Sequence, residues 1–241
     1  MINLMHGDCL ELMKTIGDKS VDMILCDLPY RCTVARNWDN VIPFKPLWEQ
    51  YNRIIKDNGA VVLFGIEPLS SELRLSNLKN YRYDWIWKKN VGTGFLNANR
   101  MPLRSHEIIS VFYKKLPQYN IQKRIGFKPY STTRKGAKSN VYRTYKGATS
   151  TSVDGERYPT SILEFPCVNQ KDRMHPTQKP VELLEYLIRT YTNENDIVLD
   201  NCMGSGSTGV ACKNLNRGFI GIEKDDNYFN IAKNRIENCN S

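Results

Sequence analysis

The tetrapeptide Asp27-Leu28-Pro29-Tyr30 directly follows an apolar run at residues 21–26. Its composition suits an amino group attached to an aromatic ring. The lone pair of such a nitrogen is delocalised into the ring, which makes it a poor nucleophile. Two acceptors that hold both amine hydrogens draw the nitrogen toward tetrahedral geometry and free the lone pair. The Asp27 carboxylate and the Leu28 carbonyl can be that pair. Pro29 stiffens the turn and directs the preceding carbonyl outward. Tyr30 offers a face on which a ring can stack, worth roughly 1–3 kcal/mol. A plain β-turn, with Asp27 capping it and Tyr30 on the surface, accounts for the same four residues. A second motif is needed to separate the two readings.

Residues 196–223 supply one. A strand ends at Asp200, a turn containing Gly204-Ser205-Gly206-Ser207-Thr208-Gly209 opens a helix, and another strand ends at Glu223. Small residues at the carboxyl edge of an α/β sheet let the backbone approach a ligand closely. An acid closing the next strand can accept hydrogen bonds from both ribose hydroxyls of an adenosine. The glycine spacing also fits a dinucleotide site, or a structural turn alone. Asp200 argues against a pyrophosphate, whose charge it would repel. It suits a ligand such as S-adenosylmethionine, which has no phosphate and carries a cationic methionine end.

The elements that must position these motifs follow from hydrophobic patterning. Short runs rich in β-branched and aromatic residues recur at 21–26, 60–64, 83–87, 108–113, 197–199 and 218–222. Helical spacing follows Pro180 (Val181, Leu184, Leu187, Ile188, Tyr191), and further helices are expected after Gly206 and from about Asp226 to the end. Strands alternating with helices predict an α/β, Rossmann-like, doubly wound and mostly parallel sheet. Residues 116–161 break the rhythm and read as an insertion. A catalytic half at about 1–115 and a cofactor half at about 162–241 then form one domain.

Charge singles out the same insertion. Between Lys114 and Tyr158 eleven cations face only Asp154 and Glu156, so this stretch carries the chain's whole formal charge of +9. A concentrated basic module on a neutral body suits a polyanion partner, although a merely solvated loop has the same composition. Seven scattered cysteines, none in a C-x-x-C pair, read as free thiols in a reducing compartment, and no metal site is expected. Apolar runs are too short to span a bilayer, and Asp8 and Glu11 interrupt any export signal. A cytoplasmic protein with no membrane partner is the expectation.

Taken together, these residues resemble the amino-group (N6-adenine/N4-cytosine) DNA methyltransferases of the permuted class, in which the catalytic motif precedes the cofactor motif. The resemblance rests on Gly7-Asp8-Cys9, Asp27–Tyr30, His175-Pro176-Thr177-Gln178-Lys179-Pro180, Asp200 to Gly206, and Glu223. It implies S-adenosylmethionine as cofactor, double-stranded DNA as partner and a flipped base as substrate. Asp27, Leu28, Pro29 and Tyr30 would be catalytic. Asp200, Met203, Gly204 and Gly206 would line the methionine end, with Thr177 and Lys179 closing over it, and Cys9, Asp27, Ser205 and Ser207 would also bind the cofactor. Glu223 would hold the ribose, while Asp8 would reach the cofactor adenine. The insertion would read the target through Lys123, Arg124, Lys128, Tyr130, Arg134, Lys135, Lys138, Asn140, Tyr142, Arg143 and Lys146. Tyr145 is a further stacking candidate.

Leu28 departs from the family's commoner proline, but only its carbonyl is needed. Aspartate at the first position favours N6-adenine over N4-cytosine, which more often goes with serine. Pro166-Cys167 resembles a cytosine-C5 nucleophile, but that reading leaves Asp27–Tyr30 unused. An RNA or protein-amide methyltransferase, and a DNA-binding protein without catalysis, stay open as alternatives, and so does a homodimer.

Overall fold

A computed structural model describes residues 1–30, 42–136 and 146–239. The chain divides into two compact units, Met1–Asn120 with Ser161–Ser241, and Ile121–Thr160.

The first unit is built on an eight-stranded sheet in the order β1-β10-β9-β2-β3-β5-β4-β8. Its strands are β1 (Ile2–His6), β2 (Val21–Asp27), β3 (Ile55–Gly65), β4 (Tyr81–Thr93), β5 (Arg104–Phe112), β8 (Ile162–Glu164), β9 (Ile197–Asp200) and β10 (Gly218–Glu223). Five neighbours from β1 to β3 run parallel, β5 is antiparallel to both β3 and β4, and β8 is parallel to β4. A single strand, β5, therefore opposes the rest, and the expectation of a mostly parallel α/β sheet holds.

Helices cover both faces, so the strands must be apolar on both sides. On β2, Met23 and Leu25 join the cluster under α4 (Val181–Tyr191), α5 (Ser207–Asn214) and α6 (Asp226–Glu237). The alternate residues Ile24 and Cys26 join the cluster under α1 (Cys9–Leu12), α2 (Phe44–Ile54) and α3 (Leu69–Ser76). The helix after Pro180 and those after Gly206 and at Asp226 form where their spacing predicts. Helix α2 lies outside the elements predicted from spacing, yet Leu47, Trp48, Tyr51 and Ile54 mark one buried helical face. Helix α3 and strands β1 and β8 lie outside the predicted elements as well. No helix among the described residues is long and apolar enough to cross a membrane.

Ile24 pairs with Leu199, which brings the carboxyl ends of β2 and β9 side by side. The chain continues from β9 toward β10 on one side and from β2 toward β3 on the other. This reversal of strand order opens a crevice where open α/β sheets bind ligands.

The second unit contains one antiparallel pair, β6 (Tyr130–Arg134) and β7 (Ala148–Ser152). Arg124 and Arg157 exchange both backbone hydrogen bonds at 2.8 Å, which closes its base. The Arg157 guanidinium lies over the Tyr130 ring at 4.3 Å and the Phe127 ring at 5.4 Å, with Arg124 at 5.2 Å from Phe127.

Packing of α4 on β4 passes through Tyr191, whose buried hydroxyl accepts from Trp85 Nε1 at 2.7 Å and meets the Tyr83 hydroxyl at 2.8 Å. Tyr191→Phe keeps the ring and strands the buried indole N–H. A loss of about 1–3 kcal/mol is expected, read as a lower urea midpoint at unchanged slope; an unaltered midpoint would remove this bond from the fold's supports.

Candidate active site

Asp27 ends β2, Asp200 ends β9, and Glu223 ends β10. The turns after them line a single crevice of about 500 Å³, within the usual range for small-molecule sites. Asp8, Cys9, Leu28, Pro29, Tyr30, Thr177, Lys179, Met203, Gly204, Ser205 and Ser207 line it as well. The two motifs read from opposite ends of the chain thus meet in one cavity.

Asp27 is the most constrained of these groups. The Tyr30 hydroxyl donates to its Oδ1 and the Lys179 ammonium to its Oδ2. Lys179 is 6% exposed and also lies 3.4 Å from Glu107 Oε2, while Lys89 donates to Glu107 Oε1 at 2.5 Å. Four charges of alternating sign, Lys89, Glu107, Lys179 and Asp27, therefore run inward with no net charge. Burial works against the Lys179 ammonium, but the Asp27 and Glu107 carboxylates outweigh it and hold its pKa above the ordinary lysine value. For Asp27 burial prevails over the stabilising lysine, and its carboxyl is raised. The Lys179 ammonium also sits 5.6 Å from the centre of the Tyr30 ring and 5.2 Å from that of Phe64.

At the glycine turn, Asp200 is buried. Its Oδ2 accepts from the Thr208 hydroxyl at 2.6 Å and its Oδ1 from the Cys202 N–H at 3.1 Å. Burial pushes its carboxyl up to about 6 against those hydrogen bonds. Gly204, at φ +51°, donates its N–H to Glu223 Oε2 at 2.8 Å. Glu223 Oε1 accepts from the N–H groups of Lys224 and Asp225, both at 2.9 Å. With about four acceptor positions on a carboxylate, Glu223 keeps little spare capacity for a ligand.

One position differs from its expected place. Gly206 does not line the crevice: a Cβ there would lie 3.0 Å from Ala232 and Ile236, so its bareness serves the close approach of α6. Lys179 points its ammonium at the Asp27 end of the crevice. Asp8 caps α1 through the Leu10 N–H at 3.0 Å and lies 3.4 Å from the Lys224 ammonium. Met203 and Ser205 are buried, Ser207 Oγ accepts from Arg235 at 2.9 Å, and Thr177 bonds His175 Nδ1 at 3.0 Å.

In the basic unit, Lys123 is paired with Glu156, while Arg134, Lys135 and Lys146 are exposed, and Lys128 presents its backbone carbonyl to Arg157. Lys138, Asn140, Tyr142, Arg143 and Tyr145 lie outside the described residues. Glu107, Lys89, Phe64, Gln178 and Tyr228 also belong to the site or its ion-pair chain and lie outside the roles predicted from sequence. For Lys89 and Glu107 a signal existed. They continue the inward phase of Trp85 and Trp87, and of Ile109 and Val111, as charges where apolar residues belong.

The chain is similar to known DNA methyltransferases. The type II methyltransferase M2.LlaDCHI of Lactococcus lactis subsp. cremoris is 53% identical over 97% of this chain and 88% of its own length. The crystal structure of an M1.HpyAVI–SAM complex superposes with a TM-score of 0.65 at 28% identity, covering 98% of this chain and all of that one. PvuII DNA methyltransferase, described as cytosine-N4-specific, shares the fold at a TM-score of 0.70 and 16% identity, over 100% of this chain and 94% of its own. The N6/N4 DNA methylase model matches residues 21–234, and the chain belongs to that DNA methylase family.

Proposed function

We propose that this chain transfers a methyl group from S-adenosylmethionine to the N6 amino group of an adenine flipped out of double-stranded DNA. The supporting observation is the shared crevice, with the Asp27 carboxylate at one strand end and the Asp200–Glu223 turn at the neighbouring ends. The donor set fits the cofactor. A buried acid and a glycine without a Cβ suit a cationic methionine end, whereas a pyrophosphate would face Asp200. When bound, the cofactor supplies a sulfonium-activated methyl group.

The chain contributes positioning and water exclusion. The target amine is unreachable within the duplex, so the base must leave the stack. Its two hydrogens are taken by a carboxylate oxygen of Asp27 and the Leu28 carbonyl, which turns the nitrogen lone pair toward the crevice. In the described arrangement Asp27 is engaged by Tyr30 and Lys179. Lys179 yields an oxygen by moving toward Glu107 Oε2, which has no hydrogen-bond partner among the described residues. After transfer the alkylated nitrogen is strongly acidic, and its proton passes to the Asp27 carboxylate. Tyr30 keeps Asp27 oriented through its hydroxyl and offers its ring for the base to stack on. Aspartate in place of serine at the first motif position supports adenine over cytosine. The unit Ile121–Thr160 acts as the target-reading module, with Arg134, Lys135 and Lys146 meeting phosphates.

Asp27→Ala should reduce methyl incorporation into plasmid DNA by roughly 100-fold or more, with cofactor binding by calorimetry retained. Mass spectrometry of the wild-type product nucleosides should give N6-methyladenine; N4-methylcytosine would overturn the base assignment.

Lys179→Met removes the cation beside Asp27, which raises the carboxyl pKa further. The acidic limb of the pH–rate profile should therefore move to higher pH, with activity partly recovered by added base. A limb that stays in place would mean Lys179 does not act through Asp27.

Burial pushes the Asp200 carboxyl up to about 6. Folding raises this pKa, so its ionisation weakens the empty fold as pH climbs from the ordinary carboxylate range through 6. A cationic ligand favours the ionised form. Cofactor affinity should consequently rise between pH 5 and about 7, and Asp200→Asn should flatten that rise; an equal slope in both proteins would exclude Asp200 as the titrating group.

A further inference from the structure

Strand β4 runs in the same direction as β2 and β9, so its carboxyl end lies at the sheet edge that carries Asp27 and Asp200. Here the chain does not turn back onto a helix. It continues as a hairpin through residues 90–104 and returns as β5, two strand positions from β2. That places the hairpin root about 10 Å from the Asp27 strand. The hairpin is ordered by its own backbone: Thr93 pairs with Arg104, Asn97 N–H donates to Gly94 at 3.0 Å, and Arg100 N–H donates to Asn97 at 2.8 Å.

Its surface is unlike that of an ordinary loop. Every residue from 91 to 106 is exposed, including Phe95 at 73% and Leu96 at 85%, with Val91, Met101 and Leu103 beside them. Contiguous exposed apolar groups of this kind mark interaction surfaces. Residues 88–106 hold Lys88, Lys89, Arg100 and Arg104 and no acid. Neither Arg100 nor Arg104 forms an ion pair among the described residues. The pattern, an apolar tip over a cationic stem, selects one occupant. A second copy docking the same face across a two-fold axis would set these cations against each other. A nucleic acid duplex offers phosphates to the stem and an aromatic stack to the tip.

We infer that residues 90–104 form a second DNA-contacting element, in which Phe95 and Leu96 press against the base stack beside the extruded base while Arg100 and Arg104 hold phosphates. The inference rests on the proposed action on duplex DNA. Extruding a base leaves a gap in the stack, and apolar wedges are what proteins insert at unstacked steps. The hairpin root is also continuous with the catalytic end. Lys89 holds Glu107, and Glu107 faces the lysine on Asp27.

The test compares wild type with two double variants on unmethylated plasmid DNA. Phe95→Ser with Leu96→Ser should lower kcat/KM for methylation by about 10-fold or more, the size of one lost base–aromatic stack. Cofactor affinity and Tm should not change, because neither side chain is buried. Arg100→Gln with Arg104→Gln should make the slope of log affinity against log salt shallower by about two. Wild-type rates and slopes in both variants would overturn the inference. So would a loss of activity that tracks conversion of a dimer to a monomer in sedimentation, which would make the hairpin a contact between copies. If the wild-type protein itself methylates no DNA, the proposed function is what fails, and the salt slopes still report whether the hairpin meets the duplex.

Discussion

The ion pair between Asp27 and Lys179 joins parts of the chain 152 residues apart and fixes what the crevice can do. A carboxylate this deeply placed would give up its charge without a cation beside it. A lysine this buried would do the same without an anion. Each favours the ionised form of the other against burial, and Glu107 and Lys89 extend the alternation toward the sheet edge. Removing one member leaves a buried charge without its partner, which costs far more than the pair contributes when whole. The network is best understood as a way to keep a charged acceptor ready in an apolar setting.

Sheet topology brings these groups together. Asp27, Asp200 and Glu223 each occupy the last position of a parallel strand, so their side chains emerge at one edge where backbone pairing ends. The strand-order reversal between β9 and β2 leaves room there. Buried residues on both faces of β2 and β3 make that edge rigid. The acids are held by the best-packed part of the molecule, while the turns after them stay free to meet ligands.

Much of this was legible in residue order. Strands buried on both faces appear as continuous apolar runs, and the helices after Pro180 and Gly206 announce themselves through spacing and punctuation. The two motifs were recognisable only in combination, since a β-turn accounts for the first by itself and a tight strand-to-helix turn for the second. What escaped was pairing across distance. Nothing near Lys179 says that its ammonium turns to Asp27, since that depends on how α4 lies on the sheet. Gly206 was read as making room for a ligand, but the room is used by Ala232 and Ile236. Arg157 entered the sequence reading only as charge, and its place over Tyr130 and Phe127 depends on the bridge that closes the second unit.

The reversed strand β5 has a consequence of its own. In a wholly parallel sheet every strand must be followed by a crossing that folds back over one face, so the chain leaves the carboxyl edge at once. One strand of opposite sense lifts that requirement locally and lets a finger of backbone stand beyond the edge, supported by ladder bonds instead of by a core. A polymer too long to be enclosed can then be gripped from the side, and the finger's length can vary between relatives without disturbing the acids beneath it.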